Sequence, residues 1–192
     1  MKKTLAIVAA LIMAGGAFAQ KGTFYLGATG ITFPMGPSES TFITGVVYNK
    51  NGSNSMTAFG IAPELGYFIS DKWALGLGVG FNYYSMDNGS SSSNAITWGV
   101  NPYICYYAVT MDKFNLYFQG DLSYTSNKPE HFDASNIFYV GISPGISYDL
   151  SEKFCIYATF GNFGYYHYGN STSSLSLQLD PNALSFGLLF LF

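Results

Sequence analysis

Chemistry in this chain would have to be built from few parts. It holds two histidines, His131 and His167, two cysteines, Cys105 and Cys155, and eleven acidic residues against eight lysines. A hydrolytic set can be assembled on paper from His131, Asp133 and Ser135, or from His167 with Asp180. Such a set works only when the base touches the nucleophile and an acid orients the base. Nothing in the spacing supports either set, and segments this rich in Ser produce such combinations by chance, so both histidines read as solvated residues and no enzyme is expected. Neither histidine has a partner at metal-ligand spacing, and no cofactor or metal site is expected. The cysteines could bridge in an oxidising compartment or stay as two thiols. Two mid-chain carboxylates remain, Glu64 and Asp121, set in apolar sequence. If the fold brought them together they could hold a cation or exchange a proton.

The elements that must position these residues are legible in the hydropathy pattern. From Gln20 onward, apolar-alternating segments are separated by Ser-, Asn- and Gly-rich stretches, with no sustained helical period. Eight segments are predicted as strands, over residues 22–31, 56–69, 73–84, 95–109, 114–124, 136–149, 154–166 and 183–192. Most reach the ~9 to 11 tilted residues that a membrane-spanning strand needs, whereas strands of globular sheets average about five or six. Short connections at 70–72, 110–113 and 150–153 each carry an acidic residue, then Lys, then an aromatic: Trp73, Phe114 and Phe154. Long ones at 32–55, 85–94, 125–135 and 167–182 alternate with them. Three tight turns and four long loops are what eight up-and-down strands with both ends on one side require.

Faces follow from the period of two. In the third strand Trp73, Leu75, Leu77, Val79, Phe81 and Tyr83 share one face and Ala74, Gly76, Gly78, Gly80, Asn82 and Tyr84 the other. The fifth strand sets Phe114, Leu116, Phe118, Leu122 and Tyr124 against Asn115, Tyr117, Gln119, Asp121 and Ser123. An eight-stranded interior is just filled by side chains, so the oily face must meet lipid and the small and polar face the lumen. The expected fold is an all-β, eight-stranded antiparallel up-and-down transmembrane β-barrel over residues 20–192. Its lumen would hold a polar cluster of Glu64, Asp121, Asn101, Gln119, Tyr103 and Tyr117, with Tyr107 and Tyr139 as further hydroxyls. No strand carries a lysine to pair with the two carboxylates, since Lys21, Lys50, Lys72, Lys113, Lys128 and Lys153 all belong to termini, loops or turns. The cluster reads first as a hydrogen-bonded, hydrated plug, and second as a cation or proton site. Cys105 and Cys155 face the same lumen from strands nearly opposite one another, which favours two buried thiols, because bridged Cα atoms must come within about 7 Å.

A repeat of about forty residues runs through the chain, with GIAPELGYFIS from Gly60, GVNPYICYYAV from Gly99 and GISPGISYDLS from Gly141. Pro63, Pro102 and Pro144 recur on its outer face. Since proline removes a ladder donor, a bulge is expected beside each. Three Asn-x-Ser/Thr matches, at Asn51, Asn88 and Asn170, fall in loops and read as loop composition.

Charged residues make up only 10% of the chain and aromatics 18%, with a formal net charge of −3. That composition is poor in solubilising groups, rich in strand formers, and lacks the basic footprint of a nucleic-acid binder. Residues 1–19 have a Lys2/Lys3 start, an apolar run from Leu5 to Ala14, and Ala17 and Ala19 before the bond at Gln20, the pattern of a signal peptide.

The leader, the eight segments, the run GIAPELGYFISDKWALGLG and the terminal ALSFGLLFLF resemble the small outer-membrane β-barrel family that includes OmpA transmembrane domains and OmpX-type proteins. The resemblance implies a place in the bacterial outer membrane, with membrane lipid and the barrel-assembly machinery as partners. It implies that Phe192, Phe190 and Leu188 are the end-placed signal read by that machinery. No counterpart of the peptidoglycan-binding domain of full-length OmpA is expected. The function expected first is that of an adhesin-like structural and interaction protein, its filled lumen anchoring four extracellular loops that meet surface ligands. A narrow porin-like channel is the alternative, and a rim enzyme a distant third.

Overall fold

A ribbon with one oily face can enter lipid only if both its edges are paired, since hydrocarbon offers its backbone no hydrogen bonds. The computed structural model describes residues 21–29, 42–169, 172–178 and 184–192, and the predicted leader lies outside these. Its strands are β1 (Phe24–Thr29), β2 (Gly45–Asn51), β3 (Asn54–Ile61), β4 (Pro63–Ser70), β5 (Trp73–Asp87), β6 (Ser92–Met111), β7 (Phe114–Pro129), β8 (Ser135–Asp149), β9 (Phe154–Phe160), β10 (Asn162–Tyr168), β11 (Thr172–Gln178) and β12 (Leu184–Leu191). β3 runs into β4 and β9 into β10, so each pair makes one stave. β1 pairs with β4 on one side and β12 on the other, and β12 pairs with β9, which closes eight antiparallel staves into a ring.

Two predicted loops are partly strand. β2 pairs with β3 and β11 with β10, raising the wall within the segments 32–55 and 167–182. On the same side β5, β6 and β7 outrun their predicted bounds at 84, 95 and 124, reaching Asp87, Ser92 and Pro129. Above the membrane a strand needs no oily outer face, so polar sequence there conceals it.

The short turns are built as their residues require. Met111 pairs with Phe114 across a two-residue turn in which Asp112 takes φ 48°, a left-handed conformation that Asp tolerates. In Ser70-Asp71-Lys72-Trp73 and Ser151-Glu152-Lys153-Phe154, the first hydroxyl accepts the backbone N–H groups two and three residues on. The prolines share one arrangement. Pro63, Pro102 and Pro144 pair with Ala28, Leu77 and Phe118 on the preceding stave, while pairing to the following stave lapses beside each. Register is kept across the gap at Pro63 and Pro102, so no bulge forms there. Opposite Pro144 one extra residue is inserted, with Gly161 at φ 71°. The missing donor is thus handled mostly by a local gap, and the expected bulge appears once.

The outer surface sorts by depth. At the short-turn end, aromatic pairs Phe24–Tyr67, Trp73–Tyr106, Phe114–Tyr148 and Phe154–Phe190 face each other across the strands. At the loop end Phe59–Tyr83, Phe81–Trp98 and Tyr124–Phe138 do the same. Between them lie exposed Leu26, Leu65, Leu77, Ile104, Leu122 and Ile156. The climb from Trp73 to Tyr83, at ~3.4 Å per residue and a tilt of about 40°, is roughly 25 Å, the height of a lipid-facing band between its aromatic girdles.

Inward tyrosines are paired with glycines. Tyr25, Tyr103, Tyr117 and Tyr157 stand opposite Gly66, Gly76, Gly145 and Gly187, and a Cβ at any of these glycines would lie 2.0–2.3 Å from the ring's Cζ. Each ring lies flat across the space its glycine leaves, the packing known as aromatic rescue. The inner face is less uniformly polar than expected. Leu189 and Leu191 of β12 point inward, and with Tyr25, Phe68, Cys105 and Tyr117 they form an apolar core at the short-turn end.

Candidate functional site

The lumen is layered from the loop end downward. Residues 42–44, just before β2, turn into the barrel. Thr44 Oγ1 donates to Thr29 O at 2.6 Å and accepts from Ala62 N, and Ile43 N donates to Asn82 Oδ1. Phe42 rests on the paired glycines Gly80 and Gly99, where a Cβ at Gly80 would meet the ring at 2.1 Å. Below it opens a chamber of about 230 Å³ lined by Glu64, Asn101, Tyr103, Gln119, Asp121 and Tyr139, among others.

Glu64 forms the chamber's floor. Tyr103 donates its hydroxyl to Oε2 at 2.6 Å, Tyr157 donates to Oε1 at 2.5 Å, and Tyr25 donates to the Tyr103 oxygen at 3.0 Å. The carboxylate thus has a phenol on each oxygen, supplied by staves 39 and 93 residues away in sequence. Asp121 sits above it on β7. Asn101 Nδ2 and Gln119 Nε2 both donate to Oδ1, at 3.1 and 2.8 Å. Asn101 Oδ1 is buried and accepts nothing, and the Tyr139 hydroxyl is buried with no hydrogen bond of good geometry, Ser143 being its polar neighbour.

Beneath Glu64 the next void measures about 20 Å³, room for roughly one water. Under it the apolar core closes the barrel, with Phe68 on Tyr107 and Tyr107 on Tyr117, both at ring separations of 5.5 Å.

Five of the six predicted lumen residues meet at the chamber: Glu64, Asp121, Asn101, Gln119 and Tyr103. The sixth, Tyr117, lies across Gly145 in the apolar plug and bonds neither carboxylate, because its register places it below Glu64. Sequence reasoning missed Tyr25 and Tyr157. Parity could have found them, since Tyr157 is two residues from the inward Cys155. Phe42 carried no such signal, lying outside any predicted strand.

The remaining candidates stay apart. His131, Asp133 and Ser135 are exposed on the loop side. His167 Nδ1 lies 3.0 Å from Ser173 Oγ, while Asp180 falls outside the described residues. Among the described residues no three His, Cys, Asp or Glu side chains gather as a metal site. Cys105 and Cys155 are buried and unbridged. Asn88 uses its side chain to accept from Ser90 N and Ser91 N, a turn-forming role, and Asn170 lies outside the described residues. Leu188, Phe190 and Phe192 all face outward at the end of the chain.

Compared with known proteins, residues 4–192 match the family model described as outer membrane protein beta-barrel domain. No curated protein matches the chain. Similar solved structures include three barrels. The N-terminal β-barrel domain of Pseudomonas aeruginosa OprF is 13% identical, covering 90% of this chain and 98% of that one at a TM-score of 0.46. Neisserial surface protein A is 16% identical, covering 89% and 96% at 0.44. The outer membrane protein OprG of Pseudomonas aeruginosa is 14% identical, covering 90% and 97% at 0.47.

Proposed function

The chain belongs to the outer membrane protein β-barrel domain family, and from that premise we propose that it is an adhesin-like structural and interaction protein of the bacterial outer membrane. The barrel fixes four loop-side connections for contact with surface ligands. One observation carries this reading: the short-turn half of the lumen is plugged by side chains. Below Glu64 only small voids of about 20 and 30 Å³ remain among Phe68, Tyr107, Tyr117, Leu189 and Leu191. An eight-stranded ring has little interior to spare once such side chains are in it.

A narrow porin-like channel is the second reading, favoured by the chamber of about 230 Å³ on the loop side. That chamber ends on the aromatic plug, so conduction would need Phe68 and Tyr107 to move together. Planar-bilayer recording of purified barrel decides between the two. No steady unitary conductance is expected, and a reproducible single-channel signal from pure protein would replace the first reading with the second.

A further inference from the structure

The chamber under Phe42 holds two carboxylates. Glu64 has a phenol donor on each oxygen, but both donors to Asp121 converge on Oδ1, and Oδ2 is left facing the chamber. Asn101 Oδ1 is buried in the chamber wall without a partner and is not open to the chamber. Its orientation is fixed, because exchanging the amide's nitrogen and oxygen would set Oδ1 against the Asp121 carboxylate that Nδ2 now serves. The chain has no arginine, and none of Lys21, Lys50, Lys72, Lys113, Lys128 and Lys153 lines the chamber. Two carboxylates therefore share a chamber with no protein cation, a state that is costly while both are ionised and is relieved by a proton or a bound cation.

The rest of the lining says what kind of cation fits. Phe42, Tyr103, Tyr139, Tyr157 and Tyr166 all contribute to the wall. Aromatic faces with a carboxylate form the setting in which ammonium groups are held. Among the described residues no three His, Cys, Asp or Glu side chains gather, so the ligand set of a zinc-type transition-metal site is missing. The volume, about 230 Å³, exceeds what one ion fills.

We propose that this chamber binds a small organic cation through a primary ammonium group, with Asp121 Oδ2 as counter-charge and Asn101, through its Nδ2 bond to Asp121 Oδ1, holding that carboxylate in place. The binding rests on the chamber in the loop-side half of the lumen and is independent of what the loops contact.

The test uses the barrel extracted from outer membranes into detergent micelles, titrated with ethylammonium chloride at constant ionic strength against KCl and NaCl. Binding is followed by calorimetry and by the temperature at which the folded gel band is lost. Ethylammonium is expected to give a saturable heat and a higher transition temperature, and the alkali salts neither. In Asp121→Asn the half-saturation concentration should rise about tenfold or more, the loss of a charge-assisted bond. Asn101→Ala, checked for folding by gel migration, should weaken binding in the same direction and serves if Asp121→Asn does not fold. No saturation with the natural barrel would overturn the proposal. So would equal saturation by KCl or NaCl, or undiminished binding in the folded variants.

Discussion

Replacing Gly76 by alanine should be far more damaging than a single methyl group suggests. A Cβ at Gly76 would lie 2.2 Å from Cζ of Tyr103 and 2.5 Å from its hydroxyl oxygen. Both neighbours are pinned, since that hydroxyl donates to Glu64 at 2.6 Å and accepts from Tyr25 at 3.0 Å. The ring must shift, which costs about 1–3 kcal/mol as overpacking. Shifting it also strips one phenol from a buried carboxylate, worth about 1.5–3 kcal/mol. A loss of about 3–5 kcal/mol is therefore expected for Gly76→Ala in urea unfolding of the barrel in lipid vesicles, read by gel migration. Two companions isolate the cause. Gly78→Ala, two residues along the same inward face, meets nothing nearer than 3.7 Å and should cost nothing or stabilise slightly. In a Tyr103→Ala background the added methyl has room, so Gly76→Ala should there become near-neutral, a coupling of several kcal/mol in the double-mutant cycle. If Gly76→Ala cost the same with and without the Tyr103 ring, the pairing of inward tyrosines with glycines would not be what organises this lumen.

Three further outcomes are expected. Leu77, exposed at mid-height of the lipid-facing band, should cost about 2–4 kcal/mol when changed to Arg, whereas Val46→Arg near the rim should cost about 0–1; equal costs would refute the depth assignment. Cys105 and Cys155 should yield two reactive thiols in denaturant without reductant and none in the folded barrel, and finding no thiol after unfolding would show a disulfide instead. Phe192→Ala should lower recovery of the protein from outer membranes while refolding of the purified chain into detergent is unchanged; normal recovery in cells would remove Phe192 from any role as an assembly signal.

Much of the barrel was legible because side-chain direction in a strand is a local property. Alternation at Trp73–Tyr83 and Phe114–Tyr124 assigns lipid and lumen faces without knowledge of any neighbour, and the turn residues at Ser70, Asp112 and Ser151 mark where each hairpin reverses. For the same reason Glu64, Asp121, Asn101, Gln119 and Tyr103 could be placed inside. Local pattern failed where the environment changes. β2 and β11 stand above the membrane, where an outer face need not be oily, and Leu189 and Leu191 point inward because the short-turn end of the lumen is closed by an apolar plug.

What the residues alone settled is which side of the ribbon each faces, since that depends only on parity along the chain. Depth, register and closure belong to the folded barrel, because they arise between staves tens of residues apart. Only there does Tyr157 reach Glu64 across 93 residues of sequence, Tyr117 fall below the carboxylates it was expected to serve, and Phe42 come to roof a chamber that holds both carboxylates.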